Sequence, residues 1–138
     1  MDAETRSIQV EGAADLALVE RVLDALDGLW ITAPEVPGED QSLFRLAIAE
    51  ISTNVVTHSE GHVTMSVSAR VTPGTLHALI QDTAAPVTIE LAAAAMPDAE
   101  AESGRGLALA RASVDVLEHH PAPSGNVWVL RRSFTPQQ

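Results

Sequence analysis

Glu50, Asn54 and His58 follow one another at four-residue intervals. On an α-helix that spacing stacks the three side chains in one stripe, about 6 Å from neighbour to neighbour. A carboxylate in such a stripe can take a proton, and a carboxamide oxygen can bind a hard cation such as magnesium. The same residue types also suit a solvated helix face. Asp82 closes the apolar run "LHALIQD", where a carboxylate either ends a strand in a turn or points into a pocket. The segment "SGRGLALA" places Gly104 and Gly106 at the entrance of a helix. Unpaired backbone amides and the helix dipole favour a phosphate there, although a tight turn without ligand accounts for two glycines equally well.

The elements around these residues follow from periodicity. A short strand over Ser7–Val10 precedes a helix over Ala13–Leu29, in which Leu16, Leu18, Val19, Val22, Leu23 and Leu26 recur near helical spacing. The stretch from Thr32 to Asp40, with two prolines and a glycine, reads as a connector. A second helix runs from Asp40 to His58 and presents Leu43, Leu46, Ile48, Ile51, Val55 and Val56 toward a core. Alternation over His62–Ala69, a "TPG" turn and the run Thr75–Gln81 predict a hairpin. Residues 83–103 break the pattern and read as a lid. A third helix over Leu107–Ala112 and two strands, Val114–His119 and Val127–Phe134, close the chain. The order β-α-α-β-β-lid-α-β-β predicts an α+β two-layer sandwich with a mixed, mostly antiparallel sheet and its helices on one face.

Composition narrows the functional classes. The chain has 138 residues, the size of one domain spanning 1–138, and a domain of that length buries roughly two-thirds of the surface its unfolded form would expose. A net charge of −11 disfavours direct binding of nucleic acid, which depends on cations neutralising phosphates. The absence of cysteine excludes disulfides and thiolate metal sites and is compatible with a reducing cytoplasm. No run of about 18 apolar residues could span a membrane, and the amino terminus lacks the basic start of a signal peptide. His119 and His120 are adjacent, so on a strand they point to opposite faces and do not share one ion. Trp30 and Trp128 read as core or sheet-face aromatics rather than ligand platforms.

Taken in order, "EISTNVVTH" on a helix, a hairpin ending in "QDTAAP", a lid, and "GRGL" before a helix closely resemble the N, G1 and G2 boxes of the GHKL ATPase superfamily. That superfamily includes DNA gyrase, a heat-shock chaperone family, histidine kinases and MutL. The resemblance runs from about Ser7 to Phe134 and is nearest to the anti-sigma-factor serine kinases of the RsbW and SpoIIAB type, which are free-standing domains of this length. It implies a Bergerat-type ATP-binding fold with an ATP lid.

What the resemblance implies extends to single residues. Glu50 matches the acidic residue that activates the attacking hydroxyl or water, and Asn54 the side chain that holds Mg2+ against the phosphates of ATP. Asp82 matches the carboxylate that accepts a hydrogen bond from the adenine amino group. Gly104, Arg105, Gly106 and Leu107 match the glycine-rich turn that cradles the phosphates, and Arg21 an arginine that faces the protein partner. His58 is assigned support of the helix end. The implied activity is a cytoplasmic protein serine/threonine kinase that sequesters a sigma factor and phosphorylates an anti-anti-sigma protein, often as a homodimer. A binding module that keeps the fold and its partner without useful kinase activity is the alternative.

The chain departs from the family pattern at three places. Ala84 stands where a glycine lets the backbone approach adenine, and its methyl crowds the base. The stretch from Ala85 to Ser103 contains no lysine or arginine, leaving Arg105 as the cation for the γ-phosphate. Asn126, following Gly125, stands where threonine is common, and its carboxamide can still hydrogen-bond near adenine.

Overall fold

The computed structural model describes residues 6–86 and 102–138. Strand β1 (Arg6–Ala13) opens the chain and helix α1 (Leu16–Thr32) follows it. The helix starts three residues later than apolar spacing alone predicts, because Asp15 caps it: its Oδ1 accepts the Leu18 N–H at 2.8 Å. Leu18, Val19, Val22, Leu26, Leu29 and Trp30 form its buried stripe. Helix α2 (Gly38–His58) carries Glu39 and Asp40 in its first turn, where carboxylates complement the positive end of the helix dipole. Asp40 also accepts from Arg132 at 2.8 Å, tying the start of α2 to the far end of the sheet.

Strands β2 (Thr64–Thr72) and β3 (Thr75–Asp82) form the expected hairpin, turning at Pro73-Gly74 with Gly74 at φ 78°. Helix α3 (Glu102–Ala112) leads into β4 (Val116–Ala122) and β5 (Gly125–Ser133). The sheet order is β1-β2-β3-β5-β4, and all four pairings are antiparallel, the antiparallel end of the expected mixed sheet.

Alternation sorts the sheet into two faces. Met65, Val67, Ala69 and Val71 on β2 and Leu76, Ala78 and Ile80 on β3 are buried on the face that the helices cover, and Trp128 and Leu130 extend that face on β5. Phe44, Ile48 and Ile51 of α2 complete the core between the layers. The two-layer α+β sandwich expected from the element order is therefore present. Most of the expected lid falls within 87–101, outside the described residues. No described helix is long and apolar enough to cross a membrane.

Candidate functional site

Strand parity decides where Asp82 points. It lies in phase with Leu76, Ala78 and Ile80, so its carboxylate faces the helix layer and is only 7% exposed. The same phase on β5 carries Asn126, Trp128 and Leu130 inward, and register pairs Asp82 with Asn126. Asn126 Nδ2 donates to Asp82 Oδ1 at 3.0 Å, and the Ala84 N–H donates to the same oxygen at 2.9 Å. Asp82 Oδ2 has no hydrogen bond among the described residues. One carboxylate oxygen is thus held by the protein while the other remains an open acceptor.

This pairing depends on Gly125. A Cβ there would stand 1.9 Å from the Asp82 carbonyl oxygen and 3.2 Å from Thr83 Cα, inside the backbone of the neighbouring strand. Only a residue without a side chain lets β5 approach β3 at this point. The pairing of glycine with asparagine was visible in the sequence, but not the contact that requires it.

Helix α2 forms the facing wall. A cavity of about 240 Å³ is lined by Asn54, His58, Asp82, Ala84, Asn126 and Trp128. Four of the residues expected to bind nucleotide, Asn54, Asp82, Ala84 and Asn126, therefore converge from a helix, two strands and the segment after β3. His58, expected only to support the helix end, also lines this cavity, as the four-residue step from Asn54 would have indicated. Trp128 is both a core residue and part of the wall. A depression of about 510 Å³ lies elsewhere on the sheet, and one of about 540 Å³ adjoins the cavity and shares Asp82 and Asn126 with it; neither is lined by Asn54.

Glu50, one turn before Asn54, meets α3 instead of the cavity wall. A Cβ on Gly106 would stand 2.7 Å from Glu50 Oε1. The missing side chain at Gly106 makes room for that carboxylate. The expected glycine-rich turn is corrected here: Gly104, Arg105, Gly106 and Leu107 lie within α3, which begins at Glu102. Small residues let α3 pack closely on α2, and Ala108 and Ala110 are buried in the same helix, so packing holds the segment helical where its glycines alone suggest a turn. Leu107 packs against the core. Arg105 Nε is buried and has no hydrogen-bond partner among the described residues.

The remaining expected residues lie apart from this group. Arg21 is exposed on α1 and donates to the Glu11 carbonyl at 3.0 Å, beside edge strand β1. His119 and His120 face opposite sides, the former against Trp128 with ring centroids 4.4 Å apart, the latter 3.0 Å from Glu118.

Chemically, the site offers an inward carboxylate with one open oxygen, a carboxamide on the opposite helix and a second carboxylate against α3. These donors fit a purine bearing an amino group, a phosphate chain and a divalent cation coordinated by oxygen.

Comparison with known proteins identifies the fold and family. The histidine kinase-like ATPase domain family matches residues 12–132. Among solved structures, the RsbU and RsbW domains of Rv1364c from Mycobacterium tuberculosis are similar to 95% of this chain, with a TM-score of 0.66 and 17% identity, over 35% of that chain. The histidine kinase domain of the blue-light activated histidine kinase EL346 from Erythrobacter litoralis is similar over 85% of this chain, with a TM-score of 0.56 and 16% identity, over 59% of that chain. The chain therefore spans about a third of the first protein and less than two-thirds of the second. No curated protein sequence matches it. The family match over residues 12–132, on a fold shared with both structures, shows that the chain belongs to the histidine kinase-like ATPase domain family, which implies binding of ATP.

Proposed function

We propose that the chain is an ATP-binding regulator of the anti-sigma type that phosphorylates a serine or threonine of an anti-anti-sigma protein. The observation that carries this reading is the convergence of Asn54, Asp82 and Asn126 on one cavity beside Glu50. Resemblance of "EISTNVVTH", "QDTAAP" and "GRGL" to the anti-sigma serine kinases supplies the partner class, and the RsbW domain in the similar mycobacterial protein supports it. The proposed setting is the cytoplasm, with a sigma factor and an anti-anti-sigma protein as alternative partners and exposed Arg21 facing one of them.

In this reading Asp82 Oδ2 accepts a hydrogen bond from the adenine amino group. The Asn54 carboxamide oxygen would hold Mg2+, which when bound neutralises charge on the phosphates. Glu50 accepts the proton of the acceptor hydroxyl as its oxygen bonds to the γ-phosphorus and the bond to the β-phosphate oxygen breaks, leaving ADP and a phosphoserine or phosphothreonine. Arg105 is the cation available to the phosphate chain, with a buried Nε that has no hydrogen-bond partner among the described residues. The direct test supplies ATP, Mg2+ and an anti-anti-sigma protein and measures incorporated phosphate. Transfer is expected, and its dependence on Glu50 separates this reading from adventitious phosphorylation.

One observation favours the second reading, a module acting by protein binding alone. Ala84 lines the cavity where a glycine would leave more room for the base. Nucleotide binding without transfer to any anti-anti-sigma protein would move that reading ahead.

A further inference from the structure

The orientation of the Asn126 amide is set by its surroundings. Its Nδ2 lies 3.0 Å from Asp82 Oδ1, 3.4 Å from the Ala84 carbonyl and 3.3 Å from the Ala85 carbonyl. All three neighbours are acceptors, so the NH2 group must face them and Oδ1 must face the other way. On that side His119 Nε2 lies 2.9 Å from Asn126 Oδ1. An amide oxygen only accepts, so His119 Nε2 carries the proton and donates.

We infer that His119 is a positioning residue for recognition of the nucleotide base, acting through Asn126 on Asp82. The inference rests on the reading of the cavity as an ATP site and names a determinant of its base preference. His119 comes from edge strand β4, opposite Trp128 in register, and its ring packs on the indole that lines the cavity. Donation to Asn126 Oδ1 holds the NH2 group toward Asp82, and that hydrogen bond occupies Oδ1. The carboxylate is then fixed with Oδ2 as the acceptor left for an exocyclic amino group. Without the His119 donor Oδ1 loses this hydrogen bond and, among the described residues, the Asn126 amide is anchored from its Nδ2 side alone, which loosens its hold on the carboxylate.

The relay favours a purine with a 6-amino group and offers nothing to a purine without one. Its effect should therefore appear in the difference between two ligands, ATP and purine riboside triphosphate, which lacks that amino group. His119→Phe keeps an aromatic ring against Trp128 and removes the donor. His119→Gln places an amide N–H near the position of Nε2.

Calorimetric titration of the full chain with each nucleotide and Mg2+ tests this. Wild type should prefer ATP, His119→Phe should lose about threefold to tenfold in ATP affinity with purine riboside triphosphate unchanged, and His119→Gln should restore ATP binding. Equal losses for both nucleotides in His119→Phe would indicate a general packing role and overturn the inference, as would no loss for either. A nucleotide-free measurement distinguishes failure of the ATP reading from failure of the relay. The Asn126 side-chain amide protons should be protected from exchange in wild type and in His119→Gln and unprotected in His119→Phe, by nuclear magnetic resonance. Protection unchanged in His119→Phe overturns the relay whatever the nucleotide results. Wild type that binds neither nucleotide overturns the assignment to base recognition together with the ATP reading.

Discussion

Gly106 on α3 leaves space for the carboxylate of Glu50 on α2: a Cβ at Gly106 would stand 2.7 Å from Glu50 Oε1. The crowded atom is the end of a flexible side chain, so Gly106→Ala displaces the carboxylate rather than the backbone. Alanine also suits a helix better than glycine by up to about 1 kcal/mol. The variant should melt at or above the wild-type temperature yet transfer phosphate about tenfold more slowly, because a general base displaced by a fraction of an ångström is misaligned. Parallel melting and phosphotransfer assays check this, and wild-type transfer would deny Glu50 its proposed role.

Substitutions on the α2 stripe should separate proton transfer from nucleotide binding. Glu50→Ala should lower phosphotransfer by roughly 10²–10⁴-fold and leave ATP affinity nearly intact. Asn54→Ala should weaken both, since it removes the proposed Mg2+ ligand from the cavity wall. Affinity measured by titration and phosphate incorporation measured separately give the two readouts.

Gly125→Ala should destabilise the protein by about 1–3 kcal/mol, the usual range for forcing extra atoms into a packed site. Its Cβ would overlap the Asp82 carbonyl oxygen, so β5 would have to move from β3 at the point where Asn126 meets Asp82. Denaturant unfolding measures the loss. ATP affinity should fall with it, because the carboxylate loses its partner.

Much of this organisation was legible in the sequence because it rests on local periodicity. The core stripes of α1 and α2 and the β2–β3 hairpin follow apolar spacing, whereas Asp82 stood between a turn and a pocket until its buried phase with Leu76, Ala78 and Ile80 placed it inward. The Asp15 cap sets the start of α1 by one side-chain contact that apolar spacing does not register. Contacts made only in three dimensions were not legible. Gly104 and Gly106 look like a turn until α2 packs on α3. Gly125 and His119 acquire their roles only once β3, β4 and β5 are side by side.

His77 gives the fold an acid-sensitive element away from the cavity. Burial holds its pKa below the usual histidine range, with the charges of Arg70 and Arg131 acting in the same direction. These arginines are its register neighbours on β2 and β5, and Thr72 Oγ1 lies 3.0 Å from its Nε2. The unfolded chain therefore binds a proton at His77 more readily than the folded one, so stability rises with pH through the window below about 6.5 and this contribution is level above it. His77→Gln should flatten the stability profile in the window just below about pH 6.5 in denaturant unfolding. An unchanged slope would place the acid sensitivity elsewhere.

The central claim is that the cavity between α2 and the β3–β5 pair binds ATP through Asp82. Calorimetric titration of wild type and Asp82→Ala with ATP in the presence of Mg2+ tests it most directly. Wild type should bind one ATP per chain, and the variant should bind at least about tenfold more weakly, the expected loss of a hydrogen bond to a charged group. Absence of binding by wild type, or equal affinity in the two proteins, would contradict it.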